Sequence, residues 1–223
     1  MKRPLVIHMA DNAMVEGLKG YFRRDPWHYA LGCAPFALDP NSERDFLKVP
    51  GANDQAVWKY AHVHLAPFQA THERAIIMLD EWFGDTPGAA VIESDIEKNM
   101  LAAGWDRERF EVIVIQPMLE AWLWMDSDHI AKAFGWKDYG DLKKRLVEEN
   151  LWNANEPKPH ALKMATLRAS KLGEIKKKSS RRTFANVFSA VSSRSLDRCS
   201  EPGFHRFRDT LRAWFPPTEG GAA

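Results

Sequence analysis

Apolar positions along this chain first come in short runs separated by helical stripes, then, after residue 117, in helical stripes alone. The run Leu5-Val6-Ile7-His8-Met9 ends at Ala10-Asp11-Asn12. It predicts a buried strand leading into a helix capped by Asp11 or Asn12. Met14, Leu18 and Phe22 recur four apart, as one stripe of that helix does, and Arg23-Arg24-Asp25-Pro26 closes it. A second strand is expected within 28–38, at His28 to Cys33 or at Pro35 to Leu38, with Gly32 and Pro35 counting against both. The polar stretch 39–55 carries Pro40, Pro50 and Gly51 and predicts a long loop, followed by a short helix over 56–68. Arg74 to Asp80 is the clearest strand, a continuous apolar run with an acid at its end. Ala89 to Ala103 reads as a helix that turns Val91, Ile92, Ile96, Met100 and Leu101 toward a sheet and stops at Gly104. Phe110 to Ile115 is a further strand, ended by Gln116-Pro117.

Apolar strands alternating with helices predict an α/β fold, a parallel, helix-flanked, Rossmann-like sheet. Beyond Pro117 the pattern holds no strand. Helices are expected at 118–125, from 128 through Phe134, and at 138–149, 159–170, 182–191 and 202–214. The expected organisation is an α/β core over 1–116, a C-terminal α-helical lobe over 117–215 packed on it, and a flexible tail over 216–223.

Composition narrows the class. Hydrophobic residues make up 45% of 223 positions and charged residues 27%, a globular balance. Cys33 and Cys199 are too far apart for a metal knuckle or a disulfide framework, which suits a reducing, cytoplasmic setting. No apolar run reaches the length of a membrane span, and the apolar stretch after Lys2-Arg3 is too short for a signal peptide. The net charge of +1 conceals a division: residues 1–131 carry 12 Lys/Arg against 20 Asp/Glu, and residues 132–223 carry 19 against 10. The acidic half suits cations and the basic half suits phosphate, or the two halves suit each other.

Ligand sites of open parallel sheets lie beyond the carboxyl ends of the strands. That rule selects Asp11 and Glu16 after the first strand, Asp80, Glu81 and Asp85 after the third, and Glu120 after the fourth. Mg²⁺ takes oxygen ligands, often one or two carboxylates with water and substrate phosphate, so acids from remote segments on one rim suit metal-dependent phosphodiester chemistry. Each acid also has a plain structural alternative. Asp11 suits a helix N-cap, Asp85 a turn, and Glu16 a solvated helix face. Glu120, flanked by Met118, Leu119, Trp122, Leu123 and Trp124, suits a partly buried pair with a cation of the lobe.

The stretch Gln116-Pro117-Met118-Leu119-Glu120-Ala121-Trp122-Leu123-Trp124-Met125-Asp126-Ser127-Asp128-His129 and the closing Phe207-Arg208-Asp209-Thr210-Leu211-Arg212-Ala213-Trp214-Phe215-Pro216 resemble one bacterial family. It is the fourth accessory component of the methylation-associated phage-defence system. The Leu79-Asp80-Glu81 turn and the Lys158-Pro159-His160-Ala161-Leu162 helix start resemble it as well, so the likeness spans nearly the whole chain. Its most specific part is the Pro-x-x-Glu-x-Trp-x-Trp block. The core of that family is in turn similar to Toprim-like folds, which bind Mg²⁺ with a Glu after the first strand and an Asp-x-Asp after a later one. The resemblance implies that Asp11 or Glu16 stands at the Glu position and Asp80 at the first Asp. Trp82 replaces the second Asp, and Glu81 and Asp85 are imperfect substitutes. Two readings follow. One is a degenerate Toprim-like accessory protein of anti-phage defence that contacts DNA or partner defence subunits. The other is a Mg²⁺- or Mn²⁺-dependent nuclease or phosphoesterase, with Asp80 and Glu120 catalytic and Asp11, Glu16, Asp80, Glu81, Asp85 and Glu120 around the metal. A third reading, a non-catalytic protein-interaction module, needs only the opposed charges of the two halves.

The strongest charge run lies in the lobe. Lys171, Lys176, Lys177, Lys178, Arg181 and Arg182 fall within twelve positions, with Ser179 and Ser180 between them. Such a run is expected to meet nucleic-acid phosphates in a salt-sensitive way, or an acidic partner protein. The alternative is a solvated loop. Lys143, Lys144, Arg145, Lys163 and Arg168 add to the lobe. Trp122 and Trp124, two apart, are expected to pack on different faces, and Trp58 and Trp82 to be the exposed tryptophans. His62 and His64 would share a face only in a strand, and a Zn²⁺ site there lacks further ligands.

Overall fold

The computed structural model describes residues 2–24, 26–173, 187 and 199–217. Lys176, Lys177, Lys178, Arg181 and Arg182 lie outside these residues, as do most of the expected helix at 182–191 and the end of the expected tail.

Four parallel strands form one sheet in the order β2-β1-β3-β4, where β1 is Arg3–Met9, β2 Phe46–Leu47, β3 His72–Asp80 and β4 Phe110–Ile115. Ile7 of β1 sits opposite both Phe46 and Ile76, and Asp80 at the end of β3 sits opposite Ile115. Because side chains alternate across a strand, Leu5, Ile7, Met9, Ile76, Met78, Ile113 and Ile115 enter the core on one face. Val6, Ala75, Ile77, Leu79, Val112 and Val114 enter the core on the other. Both faces are covered, which is why these strands read as continuous apolar runs.

One face receives α3 (Asp54–Leu65) through Val57, Ala61 and Leu65, and α4 (Ala89–Ala102) through Ile92, Ile96 and Met100. The opposite face receives α1 (Asn12–Phe22), whose Met14, Leu18 and Phe22 form the expected stripe. It also receives the helical half of the chain: α5 (Asp128–Ala133), α6 (Tyr139–Glu148), α7 (Leu162–Leu172) and α8 (Pro202–Trp214). Trp122 meets Phe204 and Phe207, while Trp124 stacks on Phe134 and meets Trp152 edge-on. The two tryptophans thus serve different sides of one core. α8 is tied to the sheet by Arg206, which contacts Glu111 at 2.5 Å and Glu93 at 2.7 Å.

Three expectations from the sequence need correction. The second strand is not within 28–38. That region holds a one-turn helix, α2 (Trp27–Leu31), and Gly32, at φ 66°, is its left-handed C-cap. A Cβ at Gly32 would come within 2.7 Å of the Arg212 guanidinium, whose Nε donates to Leu31 O. The second strand is instead Phe46–Leu47, inside the expected loop. It is anchored by the buried Asp45, which takes Arg3 Nε at 2.5 Å and Nη2 at 2.6 Å and accepts from Asp39 N. Finally, 118–125 is not a full helix. Only Leu119–Trp122 forms a single 3₁₀ turn.

Candidate functional site at the carboxyl rim

The carboxyl ends of β1 and β3, the start of α3 and the turn after β4 meet at one rim. Asp11 follows β1 and caps α1, accepting from Met14 N at 2.7 Å. Its N-cap role is therefore real, yet its charge also acts on Asp54, Asp80 and Glu120. Asp80 ends β3. Its Oδ1 accepts from Leu119 N at 2.9 Å, in the turn that carries Glu120. Its own backbone N–H donates to Asp54 Oδ1 at 2.8 Å. One carboxylate thus holds the β4 turn, and a second holds the end of β3.

The electrostatics follow from that crowding. Burial pushes the Asp80 carboxyl well above the ordinary carboxylate range, and the charges of Asp54, Glu120 and Asp11 push it further. The Leu119 amide pulls the other way. Burial is also the leading cause that raises Asp54 and Glu120, with Asp11 adding to both. Lys163, on the first turn of α7, opposes the rise at both of them. The lobe cation expected opposite Glu120 is therefore Lys163, acting through space.

Not every candidate joins this group. Glu81 Oε1 accepts from Ala89 N at 3.0 Å and from Gln116 Nε2 at 3.2 Å. It caps α4, whose own N-cap, Gly88, has no side chain to do so. Glu16 is half-buried on α1, and Asp85 is exposed in the turn between β3 and α4. Neither appears among the charges acting on Asp80. Lys171 is exposed on the last turn of α7.

Asp54 is the residue that sequence reasoning passed over. Its signal was present, as an acid at the N-terminus of a helix just after a strand. That strand is only two residues long, and its polar surroundings predict a loop. The converse applies to His64. The 62–64 segment is helical, so the two histidines diverge, and His64 shares a hydrogen bond with the buried His8 at 2.9 Å.

As the side chains stand, no three His, Cys, Asp or Glu among the described residues are grouped to hold a metal ion. The donor chemistry nevertheless fits a hard divalent cation. All four converging groups are carboxylates, and two of them with water suffice for Mg²⁺. Burial raises Asp80 first and repulsion from Asp54, Glu120 and Asp11 adds to it, and a cation or a proton relieves that repulsion. Beside the rim, Trp82 is 70% exposed.

No family model, curated protein or solved structure matches the chain.

Proposed function

We propose that the carboxyl rim is a divalent-cation site for phosphate-ester chemistry, within an accessory component of a bacterial anti-phage defence system. The observation that carries this reading is the convergence of Asp11, Asp54, Asp80 and Glu120 from separate segments, with Asp80 Oδ1 holding the amide of Leu119 beside Glu120 and Asp80 N held in turn by Asp54 Oδ1. Clustered carboxylates with shifted pKa values at the ligand end of a parallel sheet mark functional-site candidates. Asp80 and Glu120 would hold Mg²⁺ or Mn²⁺, with Asp11 and Asp54 adding charge. The cation would supply Lewis-acid stabilisation of a phosphate oxygen. The chain's own part is to keep Asp80 oriented through the Leu119 amide and to place Lys163 within electrostatic reach of the acids. The defence context rests on the Pro117-to-Trp124 block and the closing segment described above, and in it the nucleic acid or partner subunits would be the macromolecular targets.

Titration of purified protein with MnCl₂, wild type against the Asp80→Ala, Glu120→Ala double substitution, tests the site. Saturable binding by the wild type, weakened at least about tenfold in the double variant by the loss of two charged ligands, supports it. Equal binding, or none, overturns it. Hydrolysis of bis(p-nitrophenyl) phosphate with the added metal then separates catalysis from binding alone. In cells carrying the whole defence system, loss of phage resistance with the double variant supports the context.

A second reading is favoured by the hydrogen bonds from Leu119 N to Asp80 and from Asp80 N to Asp54. On this reading the acids stitch the rim together as a degenerate scaffold, and the same double substitution lowers stability without any change in metal binding.

A further inference from the structure

The opposite, amino rim of the sheet holds a cavity of about 690 Å³ whose charge is of the other sign. We propose that it binds a phosphate monoester of mononucleotide size, with Lys2 and Arg44 on the phosphate and Phe68 against the ring.

The cations are the first support. Three basic side chains, Lys2, Arg3 and Arg44, line the cavity, and no carboxylate does. Arg3 is committed to Asp45, which receives two of its nitrogens. Lys2 and Arg44 have no carboxylate within ion-pair distance among the described residues. Lys2 Nζ donates to the Gln69 carbonyl at 3.0 Å. Arg44 is exposed. Two uncompensated cations, one a planar fork and one a point charge, suit a phosphate dianion.

The wall is the second support. Thr71 and His72 form the polar side of the cavity. His72 is 1% exposed, and its Nδ1 shares a hydrogen bond with Thr71 Oγ1 at 2.9 Å. Its Nε2 faces the buried Asp45, 3.6 Å from Oδ1. The Asp45 carboxylate thus serves both His72 and Arg3, which leaves Lys2 and Arg44 as the cations of the cavity without a carboxylate among the described residues. Size is the third support. Inorganic phosphate fills only a fraction of such a volume, whereas a ligand with a ring uses the apolar side, where Phe68 is half-buried. The cavity stands apart from the acids of the carboxyl rim, so this inference does not depend on the metal reading.

The shared chemistry, a terminal phosphate next to a flat ring, occurs both in a free nucleotide and at the 5′ end of a nucleic-acid strand. Calorimetric titration of the full chain with AMP, adenosine, inorganic phosphate and a 5′-phosphorylated or 5′-hydroxyl DNA dodecamer separates these sources. Saturable binding of AMP, or of the 5′-phosphorylated dodecamer over its hydroxyl form, is expected. That binding should weaken at least about tenfold in the Lys2→Ala, Arg44→Ala double variant, as removal of charged hydrogen-bond donors does. Phe68→Leu should weaken AMP more than inorganic phosphate. Lys144→Ala, which removes an exposed cation away from the cavity, should leave binding unchanged. Both double-variant positions are surface side chains, and an unchanged circular dichroism spectrum confirms the fold. The inference is overturned if neither phosphorylated probe binds, if the double variant binds as the wild type does, or if Lys144→Ala weakens binding as much as the double variant does.

Discussion

Replacing Asp80 with Asn is expected to stabilise this protein, increasingly so as pH rises from 4 to 8. The half-buried carboxyl is desolvated and feels the charges of Asp54, Glu120 and Asp11, so folding raises its pKa from the ordinary 3.8. Below that value the group is protonated in both folded and unfolded chains, and it has no effect on stability. Above it, the unfolded chain loses its proton first. The folded state then binds more protons than the unfolded one, so stability falls with pH until the folded group ionises too. Each unit of elevation is worth about 1.4 kcal/mol. Asparagine removes the charge, keeps an oxygen to accept from Leu119 N, and adds a donor toward the remaining carboxylates. Relief of an uncompensated buried charge is worth about 1–3 kcal/mol. In a 223-residue chain that raises the melting midpoint by about 2–12 °C. Calorimetric scans from pH 4 to pH 8 in the presence of chelator measure this, with Asp80→Ala, which loses the Leu119 bond, as the destabilised comparison. A constant offset between Asp80→Asn and the wild type at every pH would refute the reasoning, because a purely structural hydrogen bond has no such pH dependence.

Other consequences are open to the same measurements. The buried His8 is pushed down to about 4 by desolvation. Its contribution is therefore complete above pH 6.5 and is lost as pH falls toward 4, by about 3 kcal/mol in total; His8→Asn should flatten the acid limb of the stability profile. Thr166→Val should cost about 1–3 kcal/mol in urea unfolding, because it strands the buried Trp124 indole N–H, which donates to Thr166 Oγ1 at 3.1 Å. Arg206→Ala should cost about 1–2 kcal/mol, discounted for partial exposure, by leaving Glu93 and Glu111 facing each other without their cation. A loss below about 0.3 kcal/mol would show that α8 docks by apolar contact alone.

Legibility in the sequence tracked the length and burial of each element. β3, β4, α4 and α8 were readable because each is a sustained apolar run or stripe with a clear terminator, such as Gly104 after α4. β2 was not, because two residues carry no period. What makes Phe46–Leu47 a strand is a tertiary fact, the Arg3–Asp45 contact that draws the loop against β1. Missing β2 removed the cue to Asp54. In the sequence Gly32 only counts against a strand, whereas its positive φ makes it the cap of a helix. Asp11, Asp80 and Glu120 were legible because strand ends place them. Glu81 ranks among the metal candidates by sequence because the sequence shows an acid after a strand, not the α4 amide it caps.

The way the helical half lies on the sheet limits how this protein can be dissected. One continuous apolar cluster runs from Leu5 in the first strand to Leu211 in the last helix. A fragment cut at residue 116 would turn Ile76, Met78, Ile113 and Ile115 out to water, and so would expose an adhesive face instead of releasing an independent module. Studies of either rim therefore require the intact chain, and point substitution is the tool that can separate one end of the strands from the other.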